Sequence, residues 1–343
     1  MLEKVIDIFR ELYKINEDIG EEFKAASYRE TYVKLKILNE NDSFKKSFNR
    51  DLNFSFKNTL SKIQNFKFFY EEEVDYNLIK KRNLIINFQS LFTKKTLLKI
   101  KEILEKGSLK ILDDLIKNPK IRSVRTLTKI FGIGPSTANF LIENNVNNFK
   151  EYKKWSKNRE ISKIKELGVK YGNTSSLAKN RKAIQFAFSV VHLYIKKSEK
   201  VILSGSNRIS SSNPSDVDLI ICNKRGEISS LISYLVEKKF LKDYVKSGEN
   251  EILGIFEWEK KFFRIDIKGT TPKHLATYLL YFGSGKYFSK FIRKIAKDKG
   301  YKLNQYSIED LKNNKKYFFK TEKEIFKFLD LPYIKPEDRF LYW

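Results

Sequence analysis

The chain is 343 residues long, beyond the usual size of one compact domain, and 68 Lys and Arg against 42 Asp and Glu give it a formal charge of +26. Without a run of about 18 apolar residues to cross a bilayer, or an apolar signal-peptide core near its start, a membrane partner is excluded and nucleic acid is left as the expected polyanion. One cysteine, Cys222, and two histidines, His192 and His274, rule out an intramolecular disulfide, argue against a Cys/His zinc site and suit an intracellular chain.

Residues 1–120 read as helical. Apolar residues recur at three- and four-residue intervals in Leu2, Val5, Ile6 and Phe9, and again in Leu97, Ile100, Ile103 and Leu104, with Gly107 as a helix stop. Residues 121–143, IRSVRTLTKIFGIGPSTANFLIE, place two helical stretches around a tight Gly132-Ile133-Gly134-Pro135 turn. This is a helix-hairpin-helix pattern. Gly132 and Gly134 let the backbone approach a DNA phosphate, and the second helix opens with free amides aimed at it.

From about residue 200 the pattern turns to short β-rich runs: 201–203, 217–221 and 262–267, with a helix expected over 228–236. A short strand over 301–306 and a helix capped by Thr321 and Glu324 follow. His192, His274 and Cys222 read as structural, and Trp155, Trp258 and Trp343 as packing residues.

The chemistry concentrates in SGSNRISSSNPSDVDLI, residues 204–220. On a strand, residues two apart share a face, so Asp216 and Asp218 point one way while Val217 and Leu219 point into the core. Asp266, alternating with apolar neighbours in FFRIDI, supplies a third carboxylate. Grouped carboxylates repel unless cations lie between them, and oxygen ligands suit Mg²⁺ with a triphosphate completing the shell. Three can hold two ions, one activating a hydroxyl and one steadying the leaving group. Gly205 and Ser206 offer amides and a hydroxyl to a phosphate.

The order of GS, DVD and RIDI resembles the nucleotidyltransferase superfamily. With GIGPSTA, YFGSGKYFSKFIR, GYKLNQYSI and TEKEIFKFL it resembles, over nearly the whole chain, the X-family DNA polymerases, the group containing DNA polymerase beta. The resemblance implies an α+β multidomain fold. A helical lyase-like domain binding the DNA 5′ end would span 1–116, a helix-hairpin-helix subdomain 117–178, a catalytic palm with a mixed sheet 179–272, and a nucleotide- and template-contacting α/β subdomain 273–343. The AT-biased composition is compatible with a large DNA virus as the source.

The resemblance also implies roles for particular residues. Asp216 and Asp218 would bind both metals, and Asp266 the catalytic one; Mn²⁺ could replace Mg²⁺. Gly205 and Ser206 would contact the triphosphate, Tyr281 and Phe282 the sugar and base, with Ser284 beside them. Arg264 would approach the primer terminus and Arg293 the template. Thr128, Ile130 and Ile133 would offer carbonyl oxygens to Na⁺ or K⁺ bridging to a DNA phosphate. In the amino-terminal unit Lys99 falls where a Schiff-base lysine for 5′-deoxyribose phosphate removal belongs, Lys95 and Lys24 where phosphate ligands do, and Tyr28 beside the sugar. An amine in that role must be partly neutral near pH 7.

Three departures stand out. Ile209 replaces the usual triphosphate arginine, with Arg208 one place earlier as a substitute. Lys286 and Ser289 stand where better-studied members have aspartate and asparagine, which alters the check on the nascent base pair. SLFTK at 90–94 replaces the amino-terminal domain's own Gly-x-Gly hairpin. The expected protein is a monomeric, gap-filling DNA polymerase of base excision repair acting on gapped or nicked duplex DNA with deoxynucleoside triphosphates, and carrying lyase activity. A template-independent nucleotidyltransferase and a non-catalytic DNA-end-binding protein are the alternatives.

Overall fold

The computed structural model describes residues 1–39, 92–172, 181–195, 199–209, 214 and 216–341. The helical reading of 40–91 and the packing of Trp343 lie outside them. The described residues form a mostly helical α+β protein of two compact units, residues 1–125 with 138–142, and residues 126–137 with 143–343. None of their helices is long and apolar enough to cross a membrane.

In the first unit, α1 (Leu2–Asp18) and α2 (Glu22–Asn39) are joined by a three-residue connection, short enough to return α2 along α1. The apolar stripe of α1 buries Leu2, Val5, Phe9 and Leu12. Helix α3 (Lys94–Lys106) starts where the Thr93 hydroxyl accepts the Thr96 amide at 3.3 Å, and stops at Gly107, whose φ of +66° is the left-handed cap conformation. It adds Ile100 and Ile103 to the same core, and α4 (Lys110–Lys117) adds Leu112.

Next come α5 (Pro119–Leu127) and α6 (Pro135–Glu143), which flank the glycine turn, Pro135 standing as the first residue of its helix. Gly132 has a φ of +81°, and a Cβ there would meet the Ile164 backbone at 3.1 Å. Glycine is therefore needed at this position both for conformation and for close approach. Helices α7 (Phe149–Ser156) and α8 (Lys163–Tyr171) follow. Phe131 of the turn packs with Leu167 of α8 and with Ile255.

Helix α9 (Arg181–Tyr194) leads into the sheet: β1 (Lys200–Leu203), β2 (Val217–Cys222), α10 (Ser229–Glu237), β3 (Leu241–Gly248), β4 (Glu251–Trp258) and β5 (Lys261–Thr270). Strand order is β1-β2-β5-β4-β3, with β2 and β5 parallel and the other pairs antiparallel. Ala183, Ala187 and Val191 of α9 and Leu231 and Leu235 of α10 join Val217, Leu219, Ile265 and Ile267 in one core. Cys222 is buried.

Beyond the sheet lie α11 (Leu275–Phe282), α12 (Lys286–Asp298), a small antiparallel sheet of β6 (Tyr301–Leu303), β7 (Ile308–Asp310) and β8 (Lys316–Tyr317), then α13 (Glu322–Phe328) and a 3₁₀ turn at Pro336–Leu341. The Thr321 hydroxyl caps α13 by accepting the Glu324 amide at 3.3 Å. Two expectations are corrected here. The strand at 301–306 stops at Leu303 because Asn304 turns the chain, its side-chain oxygen accepting the Tyr306 and Ser307 amides at 2.8 and 3.0 Å. Asp216 is not on the strand but immediately before β2.

Candidate active site

Alternation along β5 sends Phe263, Ile265 and Ile267 into the core, each 0% exposed, and turns Arg264, Asp266 and Lys268 to the opposite face. The parallel pairing with β2 sets Asp218 in register with Asp266. Just ahead of β2, the Asp216 carbonyl accepts the Asn207 side-chain amide at 2.9 Å, so the 3₁₀ turn Gly205–Arg208 is tied to the carboxylate segment. Gly205 adopts φ +56°, and a Cβ there would collide with the Asp218 carboxylate. Only glycine lets this backbone lie against that acid.

The carboxylates perturb one another. Burial, reinforced by the charges of Asp216 and Asp266, pushes the Asp218 carboxyl up to about 7. Burial likewise raises Asp266 to about 6, against the pull of Lys268, whose ammonium stands 3.8 Å away. Asp216 is turned to Arg264 at 2.5 Å, and the same guanidinium lies 5.0 Å from the centre of the Phe131 ring in the hairpin turn. Among the described residues no three Asp, Glu, His or Cys side chains are already closed into a metal cage. The donor set nonetheless fits a hard divalent cation: oxygen atoms only, two of them on paired strands and held toward their neutral form chiefly by burial, with Asp216 just ahead of β2.

Arg208 does not point into the carboxylate cleft. Its guanidinium makes a two-pronged ion pair with Glu322, at 3.1 and 2.6 Å, and donates to the Leu279 carbonyl at 3.3 Å. Glu322 also accepts from Arg339 at 2.7 Å, and that nitrogen of Arg339 donates to the Ser284 hydroxyl at 2.9 Å. Arg339 is 0% and Ser284 1% exposed, so the Ser284 hydroxyl is committed inside this cluster and not presented at the surface. Burial works to raise the Glu322 carboxyl, but the hydrogen bonds and charges of Arg208 and Arg339 outweigh it and hold it below the usual range. Glu322, Arg339 and Asn207 escape sequence reasoning, since their partners are fixed only by the tertiary fold.

Tyr281 and Phe282 close α11 with ring centroids 4.9 Å apart. Arg293 sits 5.3 Å from the Tyr281 ring, and Lys268 sits 5.3 Å from that of Phe282. The Ser289 hydroxyl is turned inward to the Tyr281 carbonyl at 3.0 Å. In the hairpin turn, which holds Gly134, Thr128, Ile130 and Ile133, the Ile130 carbonyl accepts the Ile133 amide at 3.1 Å. Nothing stands within 4 Å of a Cβ built on Gly134.

In the first unit the Lys99 ammonium lies 5.8 Å from the Tyr28 ring centre. Partial burial and then the charge of Lys95 lower the Lys99 amine below the usual lysine range, and burial raises the Tyr28 hydroxyl. Lys24 is exposed and paired with Glu21 at 3.2 Å.

A mixed sheet whose glycine turn abuts carboxylates on neighbouring parallel strands is an arrangement that can hold a metal-bound phosphate. The DNA polymerase beta thumb family matches residues 278–340. DNA polymerase lambda of Arabidopsis thaliana is 21% identical over 273 residues, covering 71% of this chain and 51% of that protein. DNA polymerase lambda of Rattus norvegicus is 24% identical over 267 residues, 70% of this chain and 46% of that one. Repair DNA polymerase X of African swine fever virus is 29% identical over 143 residues, covering 41% of this chain and 82% of the viral protein. The chain thus spans about half the length of the plant and rat relatives. Over these stretches the chain is similar to X-family DNA polymerases.

Proposed function

We propose that the protein is a DNA-directed DNA polymerase that fills short gaps during base excision repair. The observation that carries this reading is the Gly205 turn lying against Asp218, with Asp266 in register beside it. Asp216, Asp218 and Asp266 would hold two Mg²⁺ ions, or Mn²⁺; bound there, the metals lower the pKa of the primer hydroxyl and neutralise charge on the triphosphate. Gly205 and Ser206 receive the triphosphate. Arg208 holds that turn from behind through Glu322, and is not a direct substitute for the arginine missing at Ile209. Tyr281 and Phe282 flank the nucleotide, Arg264 the primer end and Arg293 the template.

Gly132 and Gly134 bring the hairpin backbone to a DNA phosphate, and the carbonyls of Thr128, Ile130 and Ile133 suit Na⁺ or K⁺. The domains run 1–116, 117–178, 179–272 and 273–343, the first a lyase-like domain for the 5′ end. There Lys99 forms the Schiff base with a 5′-deoxyribose phosphate, its amine lowered by burial and by Lys95. Lys24 and Lys95 meet the phosphate, and Tyr28 packs the sugar.

Primer extension tests the reading. A one-nucleotide gapped duplex is expected to be filled with the templated nucleotide more efficiently than a blunt end or a single strand is extended. Equal, untemplated addition to all three would identify a template-independent transferase. Binding without extension in Mg²⁺ or Mn²⁺ would identify an end-binding protein.

A further inference from the structure

Helix α7 carries a feature that the polymerase reading does not use. Lys150, Lys153, Lys154 and, at the helix cap, Lys157 are spaced i, i+3, i+4, i+7, which sets all four ammonium groups on one face. All four are exposed, and none is paired with a carboxylate among the described residues. The opposite face buries Tyr152 and Ser156.

Some lysines on other helices are neutralised by a carboxylate one turn away or on a neighbouring segment. Lys34 pairs with Glu30, Lys101 with Glu105 and Lys299 with Asp330. On α7 the one acid, Glu151, is turned away to the helix start, where it accepts the Asn147 amide at 2.6 Å and the Asn148 side chain at 2.7 Å. Arg159 extends the positive face, its guanidinium 4.5 Å from the Trp155 ring centre and donating to the Trp155 carbonyl at 3.1 Å. Like charges three and four residues apart destabilise a helix, whereas a water-facing helix is usually laced with both signs. A polyanion lying along the stripe removes the repulsion.

We infer that α7 is a second phosphate-binding track that holds the DNA duplex on the primer side of the gap, beyond the hairpin. Helix α7 packs on α8, and α8 packs on Gly132 and Phe131 of the hairpin turn, so the stripe stands one helix away from the hairpin. That distance is about 10 Å, or roughly three base pairs. Seven residues of helix span about 10 Å, which matches roughly three phosphates of one strand at about 3.4 Å of axis each. The choice of the primer side rests on the proposed polymerase reading.

The test replaces Lys150, Lys153, Lys154 and Lys157 together by Gln, which keeps helix propensity. Affinity is measured for a one-nucleotide gapped duplex with a primer-side arm of about 8 or about 20 base pairs, across KCl concentrations of about 50 to 200 mM. With the long arm, the variant's plot of log affinity against log salt is expected to be flatter by about 2 to 3, with affinity near 0.1 M lower by about tenfold. With the short arm both proteins should agree within about twofold. A double variant, Lys150→Gln with Lys154→Gln and an unchanged melting temperature, should show about half the flattening, which separates charge loss from misfolding.

Equal salt slopes for wild type and variants on both arms would overturn the inference. So would a loss uniform across the two arms, or one that follows only the length of the opposite arm. The two readings fail separately: wild type that binds but never extends a primer sinks the polymerase, while unchanged binding of the variants to a plain duplex sinks the stripe alone.

Discussion

The two units hold their proposed reactive groups in opposite ways. In the second, Asp218 and Asp266 are fixed by strand pairing, and burial, reinforced by the like charge of Asp216, raises both carboxyls. In the first, Lys99 rests on helix faces, half-buried beside Tyr28 and perturbed by partial burial and by a neighbour one turn away. A parallel strand pair leaves little freedom in where its side chains stand, whereas a lysine on a helix swings on four methylenes. Rigid preorganisation suits charge stabilisation, and a swinging amine suits covalent capture of a carbonyl.

The sharpest way to break that contrast is Asp266→Ala. Gap filling should fall by at least about a hundredfold, the scale of removing a preorganised electrostatic group, while gapped-DNA affinity stays within a few-fold. Steady-state extension and a binding titration on the same preparation check both halves; retained polymerisation would remove Asp266 from the site.

Next in size is Glu322→Gln. Arg208 and the fully buried Arg339 would lose their shared counter-charge, at a cost of about 3 kcal/mol in stability, read by denaturant unfolding. If the turn is held from behind as described, the KM for the nucleotide should rise more than kcat falls.

A pH-dependent effect follows. Because the folded pKa of Asp218 is raised to about 7, the unfolded chain releases this proton at lower pH than the folded one does. The metal-free protein therefore keeps this contribution below about pH 4 and loses it as pH rises through about 7. Asp218→Asn should stabilise metal-free protein at pH 8 by up to about 4 kcal/mol and by far less at pH 4. Thermal melts at both pH values check it, and a destabilised variant at pH 8 would mean that Asp218 is already compensated.

The smallest effect tests the other unit. Lys99→Ala should lower borohydride trapping on an incised abasic duplex by about tenfold or more, with gap filling unchanged. Lys99→Arg, which keeps the charge but not the nucleophile, should behave like alanine. Trapping at wild-type level in both would move the reaction to another lysine.

The same contrast governs what can be read from sequence. The β2 and β5 runs stand out because β-branched and aromatic residues alternate with acids in VDLII and FFRIDI. Their pairing does not: nothing in the spacing says that Asp218 faces Asp266. Strands β3 and β4 pass unnoticed, β3 because an edge strand bearing Lys242, Asp243 and Lys246 has the polar look of a loop. Cα neighbours such as Asp243 and Ile255 also lie across a bulge that blurs the alternation. The hairpin is legible because its glycines are local, whereas the Arg208 to Glu322 pair spans 114 residues and leaves no local trace.

That long reach bears on how the protein is made. The Gly-Ser turn is encoded in the middle of the chain, yet the carboxylate that anchors it is synthesised 114 residues later. Contacts so distant in sequence form late in folding because loop closure must come first. A nascent chain emerging from the ribosome therefore carries the five-stranded sheet before it carries a braced turn, and the carboxylate-bearing unit matures last at the segment written nearest its centre.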